Sequence, residues 1–105
     1  MTYKIAICDD SQADRDYVAS LVRRWASEGD RTAHIEAFSS AEGFLFHYAE
    51  ASDFDILLLD VEMKEMSGIR LAKRLRADGC KAEIAFITSH FEFVTEGYEV
   101  DALHY

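Results

Sequence analysis

Proline is missing from all 105 residues, and the chain holds only two cysteines and five glycines. A proline-rich linker is thereby excluded, and no repeat or low-complexity tract interrupts the sequence. Cys8 sits inside an apolar segment and Cys80 in a polar connector. Two such isolated cysteines do not make a disulfide scaffold; they read as free thiols, one in a core and one in a loop. Long hydrophobic runs are lacking as well. The run Ile56–Leu59 ends at Asp60, far short of the roughly 20 residues of a membrane span, and no membrane partner is expected. The first apolar segment meets Asp9 and Asp10 too early for a signal peptide, so a cytoplasmic protein is expected. Positive charge is scarce. The chain has 11 Lys and Arg against 20 Asp and Glu, a net charge of −9 that would repel a phosphate backbone. Direct nucleic-acid contact by this segment is not expected, whereas cation binding and docking to a basic partner are compatible with the charge.

What is present suits one folded domain spanning residues 1–105. Half of the residues are apolar and 12% are aromatic, enough for a modest core and too many for disorder. Short apolar segments alternate with amphipathic ones, which indicates an α/β fold with a parallel sheet. Tyr3–Cys8 is the first expected strand. Ser11 caps a helix to about Glu28 with Tyr17, Val18, Leu21, Val22 and Trp25 on one face, and Gly29 stops it. A partly polar edge strand follows at His34–Phe38. Ser39, three residues before Glu42, predicts a capping box for a second helix with Phe44, Leu45 and Tyr48 inward. Ile56–Leu59 reads as a strand buried on both faces. Ser67-Gly68 opens a third helix that turns Ile69, Leu71, Ala72 and Leu75 inward and ends at Gly79. A fourth strand is expected at Ile84–Ile87, a short helix at Phe91–Gly97, and the start of a fifth strand at Ala102–Tyr105. The chain stops inside that strand, which suggests a truncated domain.

Three expected strands end in polar residues: Asp9-Asp10, Asp60 and Thr88-Ser89. In an open parallel sheet, ligands bind beyond the carboxyl ends of the strands, where strand order reverses. Each element alone has an ordinary explanation, since Asp9 and Asp10 could cap a helix and Thr88-Ser89 could make a turn. Together at the same ends of neighbouring strands they form a cleft of carboxylates that a cation must compensate. Mg²⁺, a hard cation that prefers oxygen ligands, suits it. With that charge held there, Asp60 stays ionised and can act as a nucleophile on phosphorus, with Thr88 donating a hydrogen bond to the transferred group.

The runs Ile5-Ala6-Ile7-Cys8-Asp9-Asp10, Leu58-Leu59-Asp60-Val61-Glu62-Met63-Lys64-Glu65-Met66-Ser67-Gly68 and Phe86-Ile87-Thr88-Ser89 resemble, in order, the receiver domain of bacterial response regulators. The resemblance implies a flavodoxin-like (CheY-like) doubly wound sheet of five parallel strands in the order 2-1-3-4-5, here lacking the last helix and the end of the fifth strand. It implies that Asp60 accepts a phosphoryl group from a sensor histidine kinase, beside Mg²⁺ held by Asp9, Asp10, Asp60 and the backbone carbonyl of Glu62. Thr88 resembles the switch hydroxyl and Tyr105 the switch aromatic, which moves from an exposed to a buried position after phosphorylation. Homodimerisation and coupling to an output domain are implied too. The segments Thr88–Glu92 and Val100–Tyr105 are similar to receivers joined to LytTR-type DNA-binding domains, which implies a transcriptional output.

Two departures stand out. Lys64 replaces the family's usual proline, and a looser loop is expected there. The family's phosphate-binding lysine would lie a few residues past Tyr105. Glu62 and His90, each two residues past a site residue, would flank the cleft mouth and tune access of water to a phosphoaspartate. His34, His47 and His104 share no ligand spacing, which argues against a zinc site. The competing readings are a degenerate receiver that only binds proteins, and a Mg²⁺-dependent phosphatase of the haloacid-dehalogenase type. The second needs an aspartate two residues after the nucleophile, where this chain has Glu62.

Overall fold

The structure, a computed structural model, describes residues 1–87. The helix expected at 91–97, the fifth strand, and the site candidates Thr88, Ser89, His90 and Tyr105 lie outside the described residues. The elements run β1 (Thr2–Cys8), α1 (Gln12–Glu28), β2 (Thr32–Phe38), α2 (Ala41–Tyr48), β3 (Ile56–Asp60), α3 (Gly68–Ala77) and β4 (Glu83–Ile87). The strands form one sheet in the order β2-β1-β3-β4, and every pairing is parallel.

Alternation along β1 builds the layers, because successive strand side chains point to opposite faces. Ile5 and Ile7 face α1 and pack with Val18, Ala19 and Val22. Ala6 and Cys8 face the other way, where they join Leu57, Leu59, Ile84 and Phe86 under Phe44 of α2 and Leu71, Ala72 and Leu75 of α3. One helix therefore covers one face and two cover the other. Helices on both faces leave the carboxyl ends of the strands open to solvent, as right-handed crossovers require.

Local chemistry sets the helix starts. Ser11 caps α1 by accepting from the Asp14 N–H, and Ser67 caps α3 by accepting from the Arg70 N–H. The second helix departs from expectation. Ser40, not Ser39, is its cap, and the Ser40 hydroxyl accepts from the Gly43 N–H at 3.0 Å. β2 continues through Phe38, which leaves Ser39 as the exposed link and Ser40 as the residue that turns into the helix.

The inward face of α1 also differs. Val18, Ala19, Val22 and Ala26 are buried, while Tyr17 is 64%, Leu21 46% and Trp25 37% exposed. Small residues let the helix approach the sheet closely, and the large ones are displaced to its flank. There they line an apolar trough of about 540 Å³ with Ile56 and Leu58. Trp25 packs on Tyr3, with ring centroids 5.3 Å apart, and takes the Arg31 guanidinium over its face at 4.3 Å. The same asymmetry corrects the expectation for β3. Leu57 and Leu59 are wholly buried beneath α2 and α3, whereas Ile56 and Leu58 on the α1 side are only partly covered.

Candidate functional site

Strand order reverses between β1 and β3: the chain leaves β1 for its neighbour β2, then crosses back to lay β3 on the opposite side of β1. Cys8 pairs with Leu59, so Asp9 and Asp60, the next residue on each strand, emerge side by side at this switch point. Asp9, Asp10 and Asp60 each bring a carboxylate oxygen to within 4.8 Å of the other two. The three strand-end acids predicted to meet do meet. An open cleft of about 740 Å³ surrounds them, and Glu62, Lys64 and Ile87 contribute to its walls.

The backbone holds Asp9 firmly. Its N–H donates to the Phe38 carbonyl at 3.1 Å, which ties the end of β1 to the end of β2. Its Oδ1 accepts from the Ser11 N–H at 2.9 Å, and its carbonyl accepts from Arg15 Nη1 at 2.7 Å. Asp9 is the buried polar residue of the described core, at 4% exposure, whereas Asp10 faces solvent. Asp60 is partly buried, and its Oδ1 accepts a long hydrogen bond of 3.4 Å from the Glu62 N–H.

Crowded like charges have an energetic signature. Burial and then the neighbouring Asp9 carboxylate push Asp60 up to about 7, with Asp10 and Asp14 adding to the effect and the Glu62 N–H opposing it. Burial also raises Asp9, partly offset by the Ser11 hydrogen bond and by Arg15. The site therefore binds protons unless another cation replaces them. Its donors are all oxygens and its geometry is open, which matches a hard dication such as Mg²⁺.

Several residues that shape this site carried no obvious signal in the sequence. Arg15 lies one turn into α1 and reaches back to the Asp9 carbonyl. Asp14, on the same turn, adds negative charge to the cleft. Gly68 was expected only to open α3, yet a Cβ there would strike the Asp60 carbonyl oxygen. Its N–H donates to the Val61 carbonyl at 3.0 Å, closing the loop that carries Glu62 and Lys64. In that loop Glu65 adopts φ 64°, a left-handed conformation unusual for a residue with a side chain.

The comparison with known proteins agrees with this arrangement. A family profile described as the response regulator receiver domain matches residues 5–105. The Sensory transduction protein LytT of Bacillus subtilis is 30% identical over 104 residues, covering 97% of this chain and 40% of that protein. Accessory gene regulator protein A of Staphylococcus epidermidis is 27% identical over 106 residues, covering 97% of this chain and 44% of that one. The chain thus spans less than half the length of these curated relatives. In fold it is similar to the response regulator protein TrrA of Thermotoga maritima in complex with Mg²⁺–BeF. The TM-score is 0.81 at 22% identity over 98% of this chain and 84% of that one. A four-stranded parallel sheet with an acid cluster at its switch point, matched along nearly its whole length by that profile, places the chain in the receiver domain family of two-component response regulators.

Proposed function

We propose that residues 1–105 act as a phosphoacceptor receiver in which Asp60 takes a phosphoryl group from a sensor histidine kinase in a Mg²⁺-dependent step. The meeting of Asp9, Asp10 and Asp60 within 4.8 Å at the switch point is the observation that carries this reading. Asp9, Asp10, Asp60 and the Glu62 carbonyl would hold the Mg²⁺, which when bound lowers the charge on the phosphoryl oxygens. Asp60 is then ionised and its free oxygen attacks phosphorus. The P–N bond to the kinase histidine breaks as the P–O bond to the carboxylate forms, and the imidazole leaves. Arg15 and the Ser11 N–H keep Asp9 oriented throughout, and the β3–α3 loop closed by Gly68 keeps Asp60 aimed at the opening.

Thr88 would donate to a phosphoryl oxygen, and Tyr105 would then change rotamer and carry the signal to a neighbouring surface. Homodimerisation and an output domain of the LytTR DNA-binding type belong to the same proposal; the relatives extend well beyond the matched segment, which leaves room for such a domain. A fifth strand would extend the sheet beyond β4. On this reading the domain stores a phosphoryl group as a signal rather than turning over a substrate, and it makes no nucleic-acid contact of its own. It would work in the cytoplasm, where its kinase presents the phosphohistidine; among the described residues no helix is long and apolar enough to cross a membrane.

Incubation of the full-length protein with acetyl phosphate and Mg²⁺, followed by intact mass measurement, tests the proposal. Addition of one phosphoryl group that is lost in Asp60→Asn and without Mg²⁺ supports it. No addition, together with no uptake of beryllofluoride, leaves the protein-binding reading. Steady release of phosphate from phosphomonoesters would favour the phosphatase.

A further inference from the structure

One wall of the acid cleft is built by alternation. Beyond β3 the chain keeps a period of two, with Val61 buried and Met63 packed against the core, so Glu62 and Lys64 fall on the side of Asp60. Met66 anchors the returning arm in the same core, and Glu65, in its left-handed conformation, reverses the chain between them. Gly68 N–H then closes the loop on the Val61 carbonyl. Lys64 therefore stands at the rim of the cleft, on a loop fastened at both ends, with its side chain in solvent.

Five carboxylates, those of Asp9, Asp10, Asp14, Asp60 and Glu62, line that cleft, and among the described residues Lys64 is the one cation on its walls. Other nearby cations are committed elsewhere. Arg15 donates to the Asp9 carbonyl, and Lys4, toward the opposite end of β1, is held by Asp53 at 2.6 Å. No ion pair ties Lys64 down among the described residues. A phosphoryl donor carrying two negative charges must cross this mouth to reach Asp60, on a chain of net charge −9. Mg²⁺ at the base of the cleft compensates only part of that charge. The carboxylates repel an approaching dianion and the Lys64 ammonium attracts it. Charges at a cleft mouth set encounter rates in this way, and salt screens them over about 10 Å. The same ammonium repels a bound dication, so it acts on donor and metal with opposite signs.

We propose that Lys64 is a charge-steering residue, which draws the dianionic phosphoryl donor into the cleft while loosening the resting hold on Mg²⁺. The inference rests on the receiver reading of Asp60 and adds to it the residue that favours a dianionic donor. The full-length protein and its Lys64→Arg, Lys64→Gln and Lys64→Glu variants are compared in two measurements. One is the initial rate of phosphorylation by limiting acetyl phosphate at saturating Mg²⁺, followed by intact mass. The other is the Kd for Mg²⁺ without donor, by calorimetry. Lys64→Arg should match the parent in both. Lys64→Gln should react about two- to fivefold more slowly and bind Mg²⁺ about two- to fivefold more tightly, and Lys64→Glu should move further in both directions. In about 0.5 M NaCl these differences should largely close. Lys81→Gln removes the same charge beside the start of β4, at the other end of the sheet, and should match the parent. A merely structural role would not move rate and affinity in opposite directions with charge. Equal rates or equal affinities across the Lys64 series, a gap that persists in high salt, or an equal effect of Lys81→Gln overturns this inference and leaves the receiver reading standing. A parent protein that binds Mg²⁺ yet takes no phosphoryl group overturns both.

Discussion

Gly68 and Asp60 are packed backbone against backbone, so close that a methyl group on Gly68 would occupy the space of the Asp60 carbonyl oxygen. The first residue of α3 therefore sets how far the end of β3 projects into the cleft. Gly68→Ala must move either the helix start or the strand end, at a cost of about 1–3 kcal/mol. We expect lower stability in urea and weaker Mg²⁺ binding, with all three carboxylates still present. Unchanged values of both would show that the loop yields freely.

The pH dependence of stability follows from Asp60 and Asp9, both raised above the ordinary carboxylate range. A carboxyl whose folded value exceeds its unfolded one binds protons more tightly in the native state. Its contribution is complete below the unfolded value and disappears as pH climbs through the folded value. Without Mg²⁺ the domain should therefore lose stability between about pH 4 and the Asp60 value of about 7. Asp60→Asn should flatten that slope and be the more stable protein at pH 8, and saturating Mg²⁺ should erase the difference. Urea melts of both proteins at pH 5 and pH 8, with and without Mg²⁺, measure this.

At the start of α2 the two adjacent serines are not equivalent. Ser40→Ala should cost about 1 kcal/mol by removing the oxygen that accepts from Gly43 N–H. Ser39→Ala, on an exposed residue outside the cap, should fall within about 0.5 kcal/mol of the parent. Paired denaturation curves would expose the opposite ranking if the cap belonged to Ser39.

Phe44 and Phe46 make a similar contrast two residues apart. Phe44 is wholly buried against Phe38, Phe54 and Tyr48, and Phe44→Ala should cost about 3–5 kcal/mol. Phe46 is 80% exposed, and its replacement by alanine should change stability by no more than about 0.5 kcal/mol. Comparable losses in thermal melts would mean that α2 is rotated relative to the sheet.

These pairs mark where the sequence was readable. The four described strands and three helices stand close to where apolar spacing and capping residues put them, because each is written in neighbouring residues. The carboxylate cluster was readable too, since parallel strands deliver their final residues to one edge whatever the side chains between. What spacing could not convey was the depth of packing. On α1 the alanines Ala19 and Ala26 went inward and Tyr17 and Leu21 to the flank, because close approach to the sheet outweighed the size of any one side chain. Ser40 displaced Ser39 although β2 ended where expected, at Phe38 opposite Cys8: Ser39 serves as the exposed link, and the turn into the helix falls one residue later. Arg15 and Gly68 meet their partners through space, where a linear pattern holds no record of them.

The position of β1 has one more effect. It lies inside the sheet, with β2 along one side and β3 along the other, so Ile5–Cys8 has partners on both sides. Backbone amides there can exchange with deuterated solvent only when the whole domain opens, while those of the outlying β2 can be released by local fraying. The acidic pair thus hangs from the segment that opens most rarely, and a charge-dense pocket keeps its shape on a scaffold that hardly breathes.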